Sequence, residues 1–303
     1  MNNKVLSIIF VVLLAIYLMT QLFGGQKETS IDRSALLIDT SSISKLIIHP
    51  KSSSDEVFSI ERNDGDWVIT KDDLAPSVNT YAVQSLLRTL SGISIERLVS
   101  KSEDRWQDYE VTEENSTRIE VFEGTKKVKD LVIGRFNFNQ ATRSATSYVR
   151  LFDEKDIYSV DGFLSMTLGQ EFDNYRDKAL VNFSKEELNH ILISSDQQEI
   201  PFKLDGNDWV SNEGKVDSSG MASYLNSLSG LQGSTFYDNG DIGSMPLAHR
   251  VTFTTVKDQK NIEVRTKDGQ FIINSSDNPE AYFSSDSSGV YQRIVGDLLE
   301  LVN

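Results

Sequence analysis

Two short stretches place a serine near the groups that activate one. Ser42-Ile43-Ser44-Lys45 fits the S-x-x-K pattern of serine acyl-transfer enzymes, and Ser276-Asp277-Asn278 fits their S-D-N element. The serine of that pattern opens a buried helix, however, whereas Ser42 precedes a strand-like run, and no K-T-G follows Ser276. His49, His190 and His249 stand at or beside strand-like runs, and no two have the close spacing of a helical metal pair. Asp64 with Asp66, Asp205 with Asp208, and Asp238 with Asp241 fall in turn-like segments, and none grows into the twelve-residue calcium loop with its terminal Glu. With no cysteine in 303 residues, thiolate nucleophiles, Cys zinc sites and disulfides are excluded. The expectation is a chain with no catalytic residue, no cofactor and no metal ion.

Residues suited to contact rather than catalysis are easier to find. Trp67 and Trp209 each follow an acidic Gly turn, where an indole either stacks on a sugar or packs into the core or its rim. The stretch Asn137-Phe138-Asn139-Gln140-Ala141-Thr142-Arg143, with Phe136-x-Phe138 and with Arg135 and Arg143 in an otherwise acidic chain, reads either as an exposed contact loop or as a polar hairpin loop with one buried aromatic. Arg176 and Asp177 sit in a short charged junction, as a partner contact or as a salt-bridged hinge fixing what lies on either side.

The elements that must position these residues occur twice. Trp67 in Asp64-Gly65-Asp66-Trp67-Val68 aligns with Trp209 in Gly206-Asn207-Asp208-Trp209-Val210, and Ser91-Gly92 aligns with Ser229-Gly230 at nearly the same offset. In each half, alternating strands lead through that turn into an amphipathic helix, then into four more strand candidates and a closing helix. Asn79 suits the N-cap of the first helix, with Val83, Leu86, Leu87 and Leu90 on one face and Gly92 at its stop. The expected fold class is α+β: two tandem repeats, 43–174 and 175–303, each a mainly antiparallel sheet with one or two packed helices.

Ahead of them, residues 5–23 carry no charge and would span about 28 Å as a helix, close to the bilayer hydrocarbon thickness. We expect an N-terminal transmembrane signal anchor over 1–23 and a polar stalk over 24–42 whose Ala35-Leu36-Leu37-Ile38 end docks on the first repeat. The body is expected to be extracytoplasmic. A net charge of −15, from 45 Asp and Glu against 30 Lys and Arg, leaves no basic stripe for nucleic acid.

This order of elements, with Tyr175-Arg176-Asp177-Lys178-Ala179-Leu180-Val181-Asn182-Phe183 at the junction, resembles a family of uncharacterised bacterial single-span membrane-anchored proteins. Its members carry a domain of unknown function and accompany gliding-motility-type ABC export systems. The resemblance implies a non-catalytic accessory subunit in the inner membrane, its body periplasmic, beside an ABC permease and an auxiliary transmembrane subunit. No G-x-x-x-x-G-K-[ST] is present, so the ATPase would be another chain. The alternative is an anchored envelope glycan- or peptide-binding module. An accessory subunit should show a broad apolar or mixed patch near the stalk, and an envelope binder should show both tryptophans open in one cleft.

Overall fold

The computed structural model describes Val12, Leu14 and residues 34–51, 56–212, 214–238 and 240–302. The expected anchor, apart from Val12 and Leu14, and stalk residues 24–33 lie outside the described residues. Among the described residues no helix is long and apolar enough to cross a membrane.

Two antiparallel sheets carry the fold. The first contains β1 (Lys45–His49), β2 (Phe58–Asn63), β3 (Asp66–Thr70), β4 (Ile95–Ser100), β5 (Thr117–Glu123), β6 (Lys126–Asn139), β7 (Ser144–Leu151) and β8 (Ile157–Asp161), in the order β3-β2-β1-β5-β6-β7-β8-β4. The second contains β9 (Leu188–Ser194), β10 (Glu199–Asp205), β11 (Asp208–Ser211), β12 (Gly214–Lys215), β13 (Thr235–Phe236), β14 (Leu247–Thr255), β15 (Gln259–Lys267), β16 (Gln270–Ser275) and β17 (Asn278–Ser285). Its order, β12-β11-β10-β9-β14-β15-β16-β17-β13, repeats the first with β12 added. In both, a three-strand meander precedes a helix, and the strand after that helix pairs at the far edge of a four-strand meander.

Local chemistry accounts for these elements. Asp64 and Gly65 both take positive φ, the conformation of a tight hairpin turn, and bring β3 back onto β2 with Trp67 opposite Arg62. Helix α1 (Thr80–Ser91) starts where the Asn79 side chain accepts a hydrogen bond from the Ala82 amide at 3.2 Å. It buries Val83, Leu86 and Leu90 against β1, β2, β5 and β6, at roughly 1.5–3 kcal/mol for each side chain removed from water. Gly92 closes it, in right-handed rather than left-handed geometry. Short helices α2 (Trp106–Tyr109) and α3 (Leu164–Leu168) belong to the first half; α4 (Ser218–Leu228), capped by Asp217, is the counterpart of α1 in the second. Residues 290–302 form the closing helix, with a π-helical stretch over Gln292–Gly296.

Leu36 and Ile38 are buried in the first core, so the described end of the stalk docks there. Three strands escaped the sequence reading. β4, β12 and β13 are short or charged runs, and their pairing is settled by what lies beside them. β6 is also far longer than the expected Leu131–Ile133 core, because its second part is exposed and carries little of the apolar pattern.

Candidate functional site

The extra length of β6 builds the most distinctive surface among the described residues. β5 covers β6 only as far as the Thr117–Ile133 pair, while β7 continues to pair with it out to Asn139. Arg135 to Asn139 are all exposed, and beyond the end of β5 this part of β6 is an open sheet edge backed by β7 and β8. Phe136 and Phe138, two residues apart, face the same side, and Phe163 closes on them with ring centroids at 5.1 and 5.7 Å. These rings remain 38%, 45% and 40% exposed, and nearby Met166 is 58% exposed.

The cluster is held from behind by a polar clip. Ser147, opposite Phe136, donates its hydroxyl to the Gly162 carbonyl at 2.7 Å and accepts the Leu164 amide at 2.9 Å, which fixes Phe163 at the start of α3. Beside the cluster lies an open cleft of about 510 Å³, lined by Thr117, Gly134, Arg135, Phe136, Ser165 and Gly169, with Lys51, Glu110 and Glu171 at its rim. The backbone at Tyr109 and Glu110 crosses so close to Gly134 that a Cβ there would lie 2.2 Å from the Tyr109 carbonyl oxygen, so only glycine fits. Lys51 is engaged by Glu110 at 2.5 Å. The Arg135 guanidinium lies 5.9 and 5.7 Å from the Tyr109 and Tyr148 rings and has no carboxylate partner among the described residues. Arg143 holds a turn position at φ 53 and likewise forms no ion pair there.

The patch is not where the sequence reading put it. β6 begins at Lys126, where the Lys129 ammonium donates to the Ala35 carbonyl and Ser44 donates to Gly124. Ten residues on from Lys129, at the strand rise, the Asn139 end of β6 lies roughly 30 Å from that stalk contact.

At the stalk end of the same sheet sits a charged cluster. Arg118 grips Asp130 with bonds of 2.8 and 2.7 Å, Lys127 reaches Asp130 at 2.6 Å and Glu120 at 3.0 Å, and His49 meets Glu120 at 3.0 Å. Burial pushes the Asp130 carboxyl up, but hydrogen bonds from Arg118 and Lys127 outweigh it and hold it below the ordinary aspartate range. Burial likewise opposes, and hydrogen bonds from His49 and Lys127 win, at Glu120. Both folded values lie below the unfolded ones. The stabilisation is therefore fully present above the ordinary values of 3.8 and 4.5 and is lost as pH falls through the lowered folded values. Urea midpoints followed from about pH 6 down to about pH 3 should fall more steeply for the wild type than for Asp130→Asn. Parallel acid limbs would place the acid sensitivity elsewhere.

Arg176 and Asp177 come together with residues of both halves. The Arg176 side chain is almost wholly buried; its two terminal nitrogens each meet an Asp238 oxygen at 2.7 Å, and one also meets Asp173 at 3.2 Å. The guanidinium lies 3.5 Å from the Phe236 ring centroid, and its Nε is buried without a partner. The main chain here is bonded on both sides. Asn79 donates to Tyr175 and Asp177 to Ser77, each at 2.8 Å, while Leu180 donates to Leu231 at 2.9 Å and Gly233 to Lys178 at 2.8 Å. Asn278 adds a 2.9 Å bond to the Asp177 carbonyl. The junction is a clasp stitched to both halves.

The remaining sequence candidates separate. Trp209 is buried, Trp67 is half-buried with Arg62 4.9 Å from its ring, and each indole packs on the core of its own half. Ser42 donates to Glu123 in the first half, and Lys45 pairs with Glu61. Ser276 accepts the Asn261 amide and Asp277 receives Lys260 in the second, so the S-x-x-K and S-D-N elements are parted. Burial holds His190 and His249 below the ordinary histidine range; His249 meets the Tyr291 hydroxyl at 3.3 Å. Sequence reasoning singled out Phe136-x-Phe138 but missed Phe163, which comes from beyond β8 and carries no local signal that it packs on them.

The family described as Domain of unknown function (DUF4340) matches residues 67–248, well over half of the chain. The chain belongs to this family. The DUF4340 match runs from Trp67 in β3 into β14, and so takes in the aromatic hairpin, most of the cleft lining, Arg176 and Asp238. No curated protein and no solved structure matches the chain.

Proposed function

We propose that this DUF4340 protein is a non-catalytic accessory subunit of an ABC-type export complex of the gliding-motility kind, anchored in the bacterial inner membrane by residues 5–23 with its body extracytoplasmic. Its partners are the permease and an auxiliary transmembrane subunit, and its contact surface is the aromatic end of the β6–β7 hairpin. The observation that carries the contact reading is the exposure of Phe136 and Phe138 on the open edge of β6, with Phe163 packed on both rings and Met166 exposed in the adjoining α3. Aromatic and methionine side chains in one patch are the composition of an interface core, and such a patch is costly to leave in water. The transporter assignment draws on the sequence resemblance and on the anchor, which raises the effective concentration of the body near other membrane proteins.

The envelope-binder alternative called for Trp67 and Trp209 to open into one cleft. Trp209 is buried and each indole packs in its own half, which goes against the envelope reading. The aromatic patch lies at the other end of β6 from the stalk, which goes against a stalk-proximal contact; the accessory reading is kept on the sequence resemblance.

The test is a photo-crosslinking amino acid placed at Phe138 in the native membrane, with Val256, exposed between β14 and β15 of the second sheet, as the control position. Purification through a C-terminal tag and mass spectrometry should recover permease or auxiliary subunits from position 138 and not from 256. Recovery of neither, or equal recovery from both, would remove this surface as the contact.

A further inference from the structure

Beyond the aromatic side chains, the hairpin presents bare backbone. After Ile133, β6 has a partner strand on one side only. The Gly162 amide donates to the Ala145 carbonyl at 2.9 Å, so the Ala145 backbone faces β8. Phe138, opposite Ala145, is therefore in a non-hydrogen-bonded pair with β7, and its N–H and C=O point to the open side. By the strand period of two, those of Phe136 do the same. Neither backbone has another hydrogen-bond partner among the described residues. Natural sheets usually blunt such an edge with proline, lysine or a covering loop. Between Arg135 and Asn139 there is neither proline nor lysine, and the line of β5 is continued by the open cleft.

We propose that this edge of β6 takes an extended segment of a partner chain by strand addition, antiparallel to β6 and in line with β5. The proposal rests on the contact surface assigned above and names its chemistry. One face of the added strand would lie on Phe136, Phe138 and Phe163, so its alternate residues are apolar. The other face meets Arg135, with Arg143 at the hairpin tip, two cations without ion pairs in a chain of net charge −15, so the intervening residues are acidic. The same charges argue against a second copy as occupant, because edge-to-edge pairing would bring two Arg135 side chains and two strongly acidic bodies together.

The probe is a fluorescein-labelled alternating Glu-Val decapeptide, added to the full chain in nanodiscs. Binding should slow hydrogen exchange at the Phe136 and Phe138 amides by at least about tenfold and leave that of Asn137, already paired with Thr146, little changed. Phe138→Pro removes an amide that β7 does not use and should weaken binding by roughly tenfold or more. A peptide N-methylated at alternate residues tests the same bonds without altering the protein, and should lose binding to a similar degree. Undiminished binding of the N-methylated peptide, or binding without protection of the two amides, would overturn strand addition. Equal affinity for an alternating Lys-Val peptide would overturn the charge assignment, and concentration-dependent protection with no peptide would assign the edge to a second copy instead. Failure of the peptide with successful crosslinking from Phe138 would sink this inference and leave the accessory reading standing; the reverse pattern would do the opposite.

Discussion

Arg176→Ala should unfold far more easily than the wild type, with about 3 kcal/mol or more lost from the unfolding free energy in urea. The substitution strands Asp238, which gives up both 2.7 Å bonds, and removes the guanidinium stacked on Phe236. Asp238 is 26% exposed and can recruit water, which keeps the loss toward the lower end for a broken buried pair. Because Arg176 joins Phe172 and Asp173 of the first half to Phe236 and Asp238 of the second, its loss should also divide one cooperative transition into two. Arg176→Lys should recover little, since an ammonium cannot span both carboxylate oxygens or lie flat on the ring. A loss below about 0.5 kcal/mol with a single unchanged transition would show that main-chain bonds alone form the clasp.

The second large effect is expected at Arg150→Ala, again about 3 kcal/mol. Arg150 is a buried cation with no carboxylate within ion-pair reach among the described residues. It is satisfied by the carbonyls of Val111 at 2.8 Å, Leu151 at 3.1 Å and Phe152 at 2.7 Å, and lies 3.8 Å from the Trp106 ring centroid. Burial pulls its pKa down from the ordinary arginine value. Alanine would take this donor from the Val111 and Phe152 carbonyls, while Leu151 keeps the Glu154 amide, and would leave Trp106 without its cover beside the small cluster of Val111, Val132, Tyr148 and Ile157. The same segment supplies the Tyr109 backbone behind Gly134, so hydrogen exchange around Trp106–Tyr109 should quicken and the cleft wall should loosen. Unchanged exchange there would mean that the wall is held by α2 and its neighbours without Arg150.

Much of the fold could be read from local pattern. The Asp-Gly turn before Trp67, the Asn79 cap and the buried face of α1 each rest on chemistry within a few residues, and each stands where that chemistry puts it. β4 was not legible because Ile95–Ser100 has one clearly buried apolar residue and earns its place by pairing with β8. The end of β6 was read as a loop for a related reason. Asn137, Asn139 and the polar residues after them outweighed the alternation of Phe136 and Phe138, although pairing with β7 makes these residues a strand.

Legible in the residues alone were the duplicated plan, the absence of any thiol chemistry, the poverty in cationic groups, and an uncharged stretch long enough to cross a bilayer. The tertiary structure alone decided which polar groups meet and which remain open. Arg176 finds Asp238 across 62 residues, Ser42 and Ser276 fall in different halves, Trp209 turns inward, and β5 stops short of the aromatic end of β6. Periodicity reports the face on which a side chain lies. Partners far apart in the chain, and strand edges that lack one, depend on how the sheets are ordered and where their strands end.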